Sequence, residues 1–204
     1  MRVVLLLWAI RSMGESPLVL CRSHERDHDA IIGLIDAAAE WLRTKNTDQW
    51  AQPWPSEDDR NHRIRRDLIA GRTWIAWQDR IPAATITADR AVNPIWPAET
   101  RREPAVYVGR LVVSRAFAGR GLGAALLDWA GLSVGRCYGA RWTRVDVWTT
   151  NTALHRYYLR QGFNFCGFSG AFGYYPSAAL FQKETGRARP AGQPLFRIHP
   201  PPGG

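Results

Sequence analysis

The segment AGRGLGAALL, Ala118 to Leu127, sets Gly119, Gly121 and Gly123 at alternate positions just before a stretch of helical character. Glycines in that arrangement let the backbone come close to an anion. The N–H groups that open the following helix then point at it from the positive end of the helix dipole. The chemistry expected is phosphate recognition by the main chain. A second segment, NTALHRYYLRQGF, reads N-x6-Y-x3-G-F. On a helix that opens at Asn151, Tyr158 lies two turns on and shares its face, whereas Tyr157 points about a third of a turn away, toward packing.

Which phosphate is meant can be narrowed. A nucleoside-triphosphate loop needs Lys and then Ser or Thr after its last glycine. Here Ala124 and Ala125 follow Gly123, which excludes it. A dinucleotide fingerprint fits better, because Gly119, Gly121 and Ala124 satisfy G-x-G-x-x-G/A and Asp146 follows about 20 residues later on the next strand. Two features count against it. The five residues SRAFA separate the preceding strand, ending near Val113, from the first glycine, and too little chain follows for a second mononucleotide unit. A glycine-rich connector without a ligand is the structural alternative.

Together the two segments resemble the GNAT acetyltransferase superfamily. Val113 followed by SRAF and the glycine loop matches its V-x4-R/Q-G-x-G-x-G motif, and Asn151, Tyr158, Gly162 and Phe163 match its second motif. The likeness extends over roughly Leu18 to Lys183. One departure is Ala118, where the family carries Arg or Gln; Arg120 stands nearby as a substitute.

The resemblance implies acetyl-CoA as cosubstrate, with its pyrophosphate held by Gly119, Arg120, Gly121, Leu122, Gly123 and Ala124. Its pantetheine arm would run along Leu111, Val112 and Val113. Asn151 would cap its helix and touch the cofactor, and Tyr158 would protonate the departing sulfur. Asp146 stands where a branch that acetylates ribosomal-protein N-termini carries a glutamate base. A structural strand aspartate, or a water chain to Asp48 or Glu103, is the alternative. No metal is expected: HERDH, His24 to His28, matches H-E-x-x-H literally, but it straddles a change from strand to helix.

The elements that must position these groups can be read from periodicity. Strands are predicted at PLVLCRSH, RTWIAWQ and IPAATITADR, the last two around a turn at Asp79-Arg80. A further strand, AVYVGRLVVS, has Gly109 as a bulge signal. RWTRVDVWT, FNFCGF and AALFQK complete the set. Helices are predicted after Asp27 or Asp29, over Glu57–Ala70 behind an N-cap at Ser56, after the glycine loop to about Arg136, and from Asn151 to Gln161. The class is α/β with a mixed sheet, and the resemblance implies a mostly antiparallel sheet of six to seven strands flanked by helices. Trp41, Trp50, Trp54, Trp74 and Trp96 come from the elements that would line an acceptor cleft. Core packing is the commoner fate of a tryptophan.

At 204 residues with 46% hydrophobic and 22% charged residues, the chain fits one globular domain. Residues 1–16 read as an N-terminal extension, because the apolar run in MRVVLLLWAI lacks a cleavage site and is too short to span a bilayer. The resemblance implies an acetyltransferase domain over residues 17–185, and residues 186–204 read as a Pro/Gly-rich tail expected to be poorly ordered. The net charge is +9, and of the Lys and Arg residues only Lys45 and Lys183 are lysine. The arginines are scattered, so a nucleic-acid partner is not expected. Three cysteines without a CxxC pair predict a reducing, cytoplasmic compartment. The expected activity is acetyl transfer from acetyl-CoA to a primary amine of a small molecule or peptide, by direct attack in a ternary complex. A non-catalytic CoA-binding relative and a basic nucleic-acid-binding protein are the alternatives. No membrane partner is expected, and a homodimer is left open.

Overall fold

Strand-forming residues with a period of two build most of the scaffold. In β2 (Thr73–Gln78), Trp74 and Ala76 pack on one face of the sheet while Ile75 and Trp77 pack on the other. The computed structural model describes residues 16–53, 55–91, 93–169, 176–186 and 195–199. Nearly all of the N-terminal extension, Trp54 and much of the tail lie outside them.

The chain order is β1 (Val19–Arg22), α1 (His28–Arg43), α2 (Glu57–Ile69), β2, β3 (Ile81–Asp89), β4 (Ala105–Val113), α3 (Leu122–Trp129), β5 (Trp142–Val147), α4 (Thr152–Arg160), β6 (Asn164–Phe168), β7 (Ala179–Glu184) and β8 (Arg197–Ile198). These strands form one sheet in the order β6-β7-β5-β4-β3-β2-β1-β8. Pairing is antiparallel except at β4–β5 and β1–β8. The first core, under α3 and α4, includes Leu122, Leu126, Tyr158 and Phe163. The second, under α1 and α2, includes Ile31, Ile35, Ile64 and Leu68. The molecule is thus three layers, with helices on both faces of a mixed sheet.

Local chemistry sets the ends of these elements. Ser56 caps α2 as the sequence predicts, its Oγ accepting from the Asp59 N–H at 3.1 Å. Asp27 precedes α1 but makes no cap bond to it; its carboxylate accepts instead from the His24 N–H at 2.8 Å. Beyond Trp129, α3 continues as a π-helical turn, Ala130–Gly135. A Cβ on Gly131 would lie 2.8 Å from Thr143 Oγ1, so this turn sits closer to the sheet than any larger residue allows. His24 lies ahead of α1 and His28 opens it, so the two histidines of HERDH do not share a helix face.

The sheet has eight strands and not the expected six to seven. The extra strand comes from the tail: Arg197 N–H donates to Leu18 O at 2.8 Å and His199 N–H to Leu20 O at 2.9 Å. Without it β1 would be an edge strand with a row of unpaired backbone groups. Phe196 packs against the first core and anchors the added strand.

Candidate active site

The glycine loop is shaped as an anion cradle. Gly119 and Gly121 take left-handed φ values of 79° and 78°. Gly121 is the N-cap of α3 and has no side chain of its own to cap the first N–H groups of that helix. Leu122 and Ala124 are buried and hold the loop to the core. A Cβ on Gly123 would meet Tyr157 Oη at 2.8 Å and Val113 Cγ2 at 3.5 Å. A side chain at position 123 would therefore have to push the Tyr157 hydroxyl aside where the loop meets the end of β4. Arg120 lies over the Phe117 ring, its guanidinium carbon 5.2 Å from the centroid.

Beside the cradle the sheet opens. β4 and β5 pair only over Ala105–Val108 and Trp142–Val145, and no strand pairing joins them beyond Val108 and Val145. A bulge accompanies the opening, since Thr85 pairs with Val112 but Thr87 pairs with Gly109. The sequence places this bulge at Gly109, yet the left-handed residue is Arg110, with φ 45°. The extra residue shifts the alternation of β4. Val106 and Val108 face the first core before the bulge, and Leu111 and Val113 face it after. Arg110 is tied down by the buried Asp67 of α2, which also bonds Arg72. At the closed end, Arg144 is fully buried, bonded to Tyr107 Oη at 3.2 Å and stacked 5.0 Å from Trp96.

The opening widens into a cavity of about 1600 Å³ walled by α1, its following loop, β4, β5 and α4. Leu111, Val112 and Val113 line it, as do Asp146, Asn151 and Tyr158. Asp146 projects from β5 in deep surroundings. Burial pushes its carboxyl up to about 7, against the opposing effects of its own backbone N–H, the Arg110 charge and a hydrogen bond from Asn93. Tyr158 is buried among Tyr157, Phe163 and Phe181. Burial holds its phenol well above the ordinary tyrosine value, and Tyr157 and Asp146 add to the effect. A phenol so placed stays protonated across the neutral pH range.

Asn151 is engaged at both ends. Its Oδ1 accepts from the Leu154 N–H at 2.9 Å, capping α4, and its Nδ2 donates to Gln49 Oε1 at 2.6 Å. Asp48, beside Gln49, accepts from Trp148 Nε1 at 2.9 Å and from Thr150 Oγ1. These bonds hold the α1–α2 loop over the β5–α4 turn, and those to Trp148 and Thr150 lower the Asp48 carboxyl. Glu103 belongs to the closed end, where it accepts from Arg141 and Trp142, and it is not a wall of the cavity. Of the tryptophans expected in a cleft, Trp41 and Trp50 line the cavity. Trp74 meets Trp129 edge to face, and Trp96 is buried beside Tyr107.

Sequence reasoning missed Asn93. Its Nδ2 donates to Asp146 Oδ1 at 2.8 Å across 53 positions of chain. The only local signal was a loop-forming Asn-Pro pair, which says nothing of a distant carboxylate.

Among known proteins, the model of the acetyltransferase (GNAT) family matches residues 34–163. The chain is 33% identical over 168 residues to the uncharacterized N-acetyltransferase YesJ of Bacillus subtilis (strain 168), covering 80% of this chain and 88% of YesJ. A GNAT-family acetyltransferase structure from Listeria monocytogenes 4b F2365 superposes with a TM-score of 0.64 at 24% identity, over 82% of this chain and 94% of that one. The structure of the Salmonella typhimurium acetyltransferase yncA with its cofactor acetyl-CoA gives a TM-score of 0.57 at 17% identity, over 87% and 99%.

Proposed function

Because the chain belongs to the GNAT acetyltransferase family, we propose that it carries an acetyl group from acetyl-CoA to a primary amine of a small molecule or peptide, by direct attack in a ternary complex. The observation that carries this reading is a juxtaposition. The glycine loop, read as an anion cradle, meets the end of β4 at Val113, and the parted stretch of β4 lines one cavity with Asp146 and Tyr158. The Salmonella relative, solved with acetyl-CoA, supports the choice of cosubstrate.

The thioester supplies the activated acetyl group. The N–H groups at Gly119 to Ala124 hold the pyrophosphate, and main-chain groups of Leu111, Val112 and Val113 hold the pantetheine arm and polarise the thioester carbonyl. Asp146 accepts a proton from the amine nitrogen as the C–N bond forms. Its elevated pKa matches that task near neutral pH. Tyr158 gives its proton to the sulfur as the C–S bond breaks. Asn151 orders this end of the site by capping α4 and by holding Gln49.

The test is an acetyl-CoA consumption screen over amines, peptides and aminoglycosides, run beside calorimetric titration with CoA. Turnover with at least one amine is expected. Tight CoA binding without turnover of any amine would replace this reading with a non-catalytic CoA-binding role.

A further inference from the structure

We infer that Asn93 is a positioning residue for Asp146: its amide holds carboxyl oxygen Oδ1 and thereby assigns Oδ2 to the acceptor nitrogen. This rests on the base role proposed above for Asp146. Asn93 sits in the loop between β3 and β4, and its own orientation is fixed twice. Its Oδ1 accepts from the Ile95 N–H at 3.1 Å, which leaves Nδ2 as the end that faces Asp146. Its carbonyl accepts from the Trp96 N–H at 3.1 Å. Ile95 and Trp96 are almost fully buried, so the loop that presents the amide is anchored in its own small core.

The consequence follows from what an amide nitrogen can do. An NH₂ group donates and never accepts, and a carboxyl's carbonyl oxygen accepts better than its hydroxyl oxygen, so the oxygen it holds is the less favourable place for a proton. A proton taken up by Asp146 is thereby directed to Oδ2. The charged neighbours are few. Arg110 acts from β4, and Tyr158 faces Asp146 from α4. Leu180 is its partner on β7 and carries no charge. The carboxyl also feels its own backbone N–H, and Asn93 supplies the side-chain hydrogen bond that ties it to the β3–β4 loop. A hydrogen bond to the ionised form favours that form, so Asn93 joins the Asp146 backbone N–H and the Arg110 charge in offsetting the desolvation that raises the carboxyl pKa.

Carbon NMR of protein labelled at the aspartate carboxyl carbon reads this contact without any acceptor. Asp146 is assigned as the resonance missing in Asp146→Asn. In Asn93→Ala its midpoint should rise by roughly half to one pH unit, as one hydrogen bond to a charged group is lost. Asn93→Asp keeps the acceptor for the Ile95 N–H, but replaces the donor with a second carboxyl and should raise the midpoint further. The alkaline rise of kcat/KM, measured with acetyl-CoA and the best amine of the screen, should move by the same amount in each variant. A midpoint unchanged in both folded variants overturns the role of Asn93 and leaves Asp146 as base. A midpoint that moves while the rate profile does not, or full turnover by Asp146→Asn, overturns the base role and the positioning role with it.

Discussion

The pKa values of Asp146 and Tyr158 are both raised by the same cause, removal from water, yet the two groups would be used in opposite directions. For Asp146 the effect is also written into stability. Burial raises its pKa to about 7 in the fold, while in the unfolded chain it has the ordinary aspartate value. Below about pH 4 both states hold the proton, and the contribution to folding that comes from the raised pKa is fully present. As pH climbs toward 7 the unfolded chain ionises first, so this contribution is progressively lost. The melting temperature of Asp146→Asn relative to wild type should therefore increase between about pH 4.5 and 8, and a difference flat with pH would refute it. Tyr158→Phe keeps the ring in its aromatic pocket and removes only the proton. We expect kcat to fall by ~10²-fold with CoA affinity and melting temperature nearly unchanged. A folded Phe variant with full kcat would make Tyr158 a packing residue.

At the scale of elements, the cradle is a contact between the start of α3, the end of β4 and Tyr157 of α4. Gly123→Val should raise the CoA dissociation constant by about tenfold or more, because its side chain must displace either the Tyr157 hydroxyl or the loop. Calorimetric titration measures it, and unchanged affinity in a folded variant would remove the cradle assignment. These elements were legible in the sequence because each is local: strand alternation, the Gly119-x-Gly121-x-Gly123 spacing and the Asn151 to Tyr158 interval each fall within about ten consecutive residues. What escaped is non-local. The Asn93–Asp146 bond joins a loop to a strand and leaves no period to read. The bulge was signalled by Gly109, but Arg110 takes the unusual φ, because Asp67 on a helix far away in sequence secures its side chain. Two residues of β8 in a Pro/Gly-rich tail are too few to show alternation, and only the open edge of β1 gives them a partner.

The molecule as a whole is a sandwich of helices around a sheet that is continuous from β6 to β8 but joined at β4–β5 by only a short parallel pairing. The separation has a meaning beyond the reaction. Past Val108 and Val145 the two central strands turn toward each other the kind of backbone edge that sheets otherwise present at their outer rims. Outer rims attract foreign chains, and proteins blunt them. This rim faces the cavity whose walls include α1, the α1–α2 loop and α4. A slender molecule that lies there completes the pairing and adds its binding free energy to that of folding. The melting temperature should accordingly climb with CoA concentration without levelling at one equivalent. The gain should approach about 2.7 kcal/mol at a hundred times the dissociation constant, as differential scanning calorimetry would measure. A melting temperature indifferent to CoA would mean that no such molecule binds the folded chain, and that the parted strands are stable as two edges in their own right.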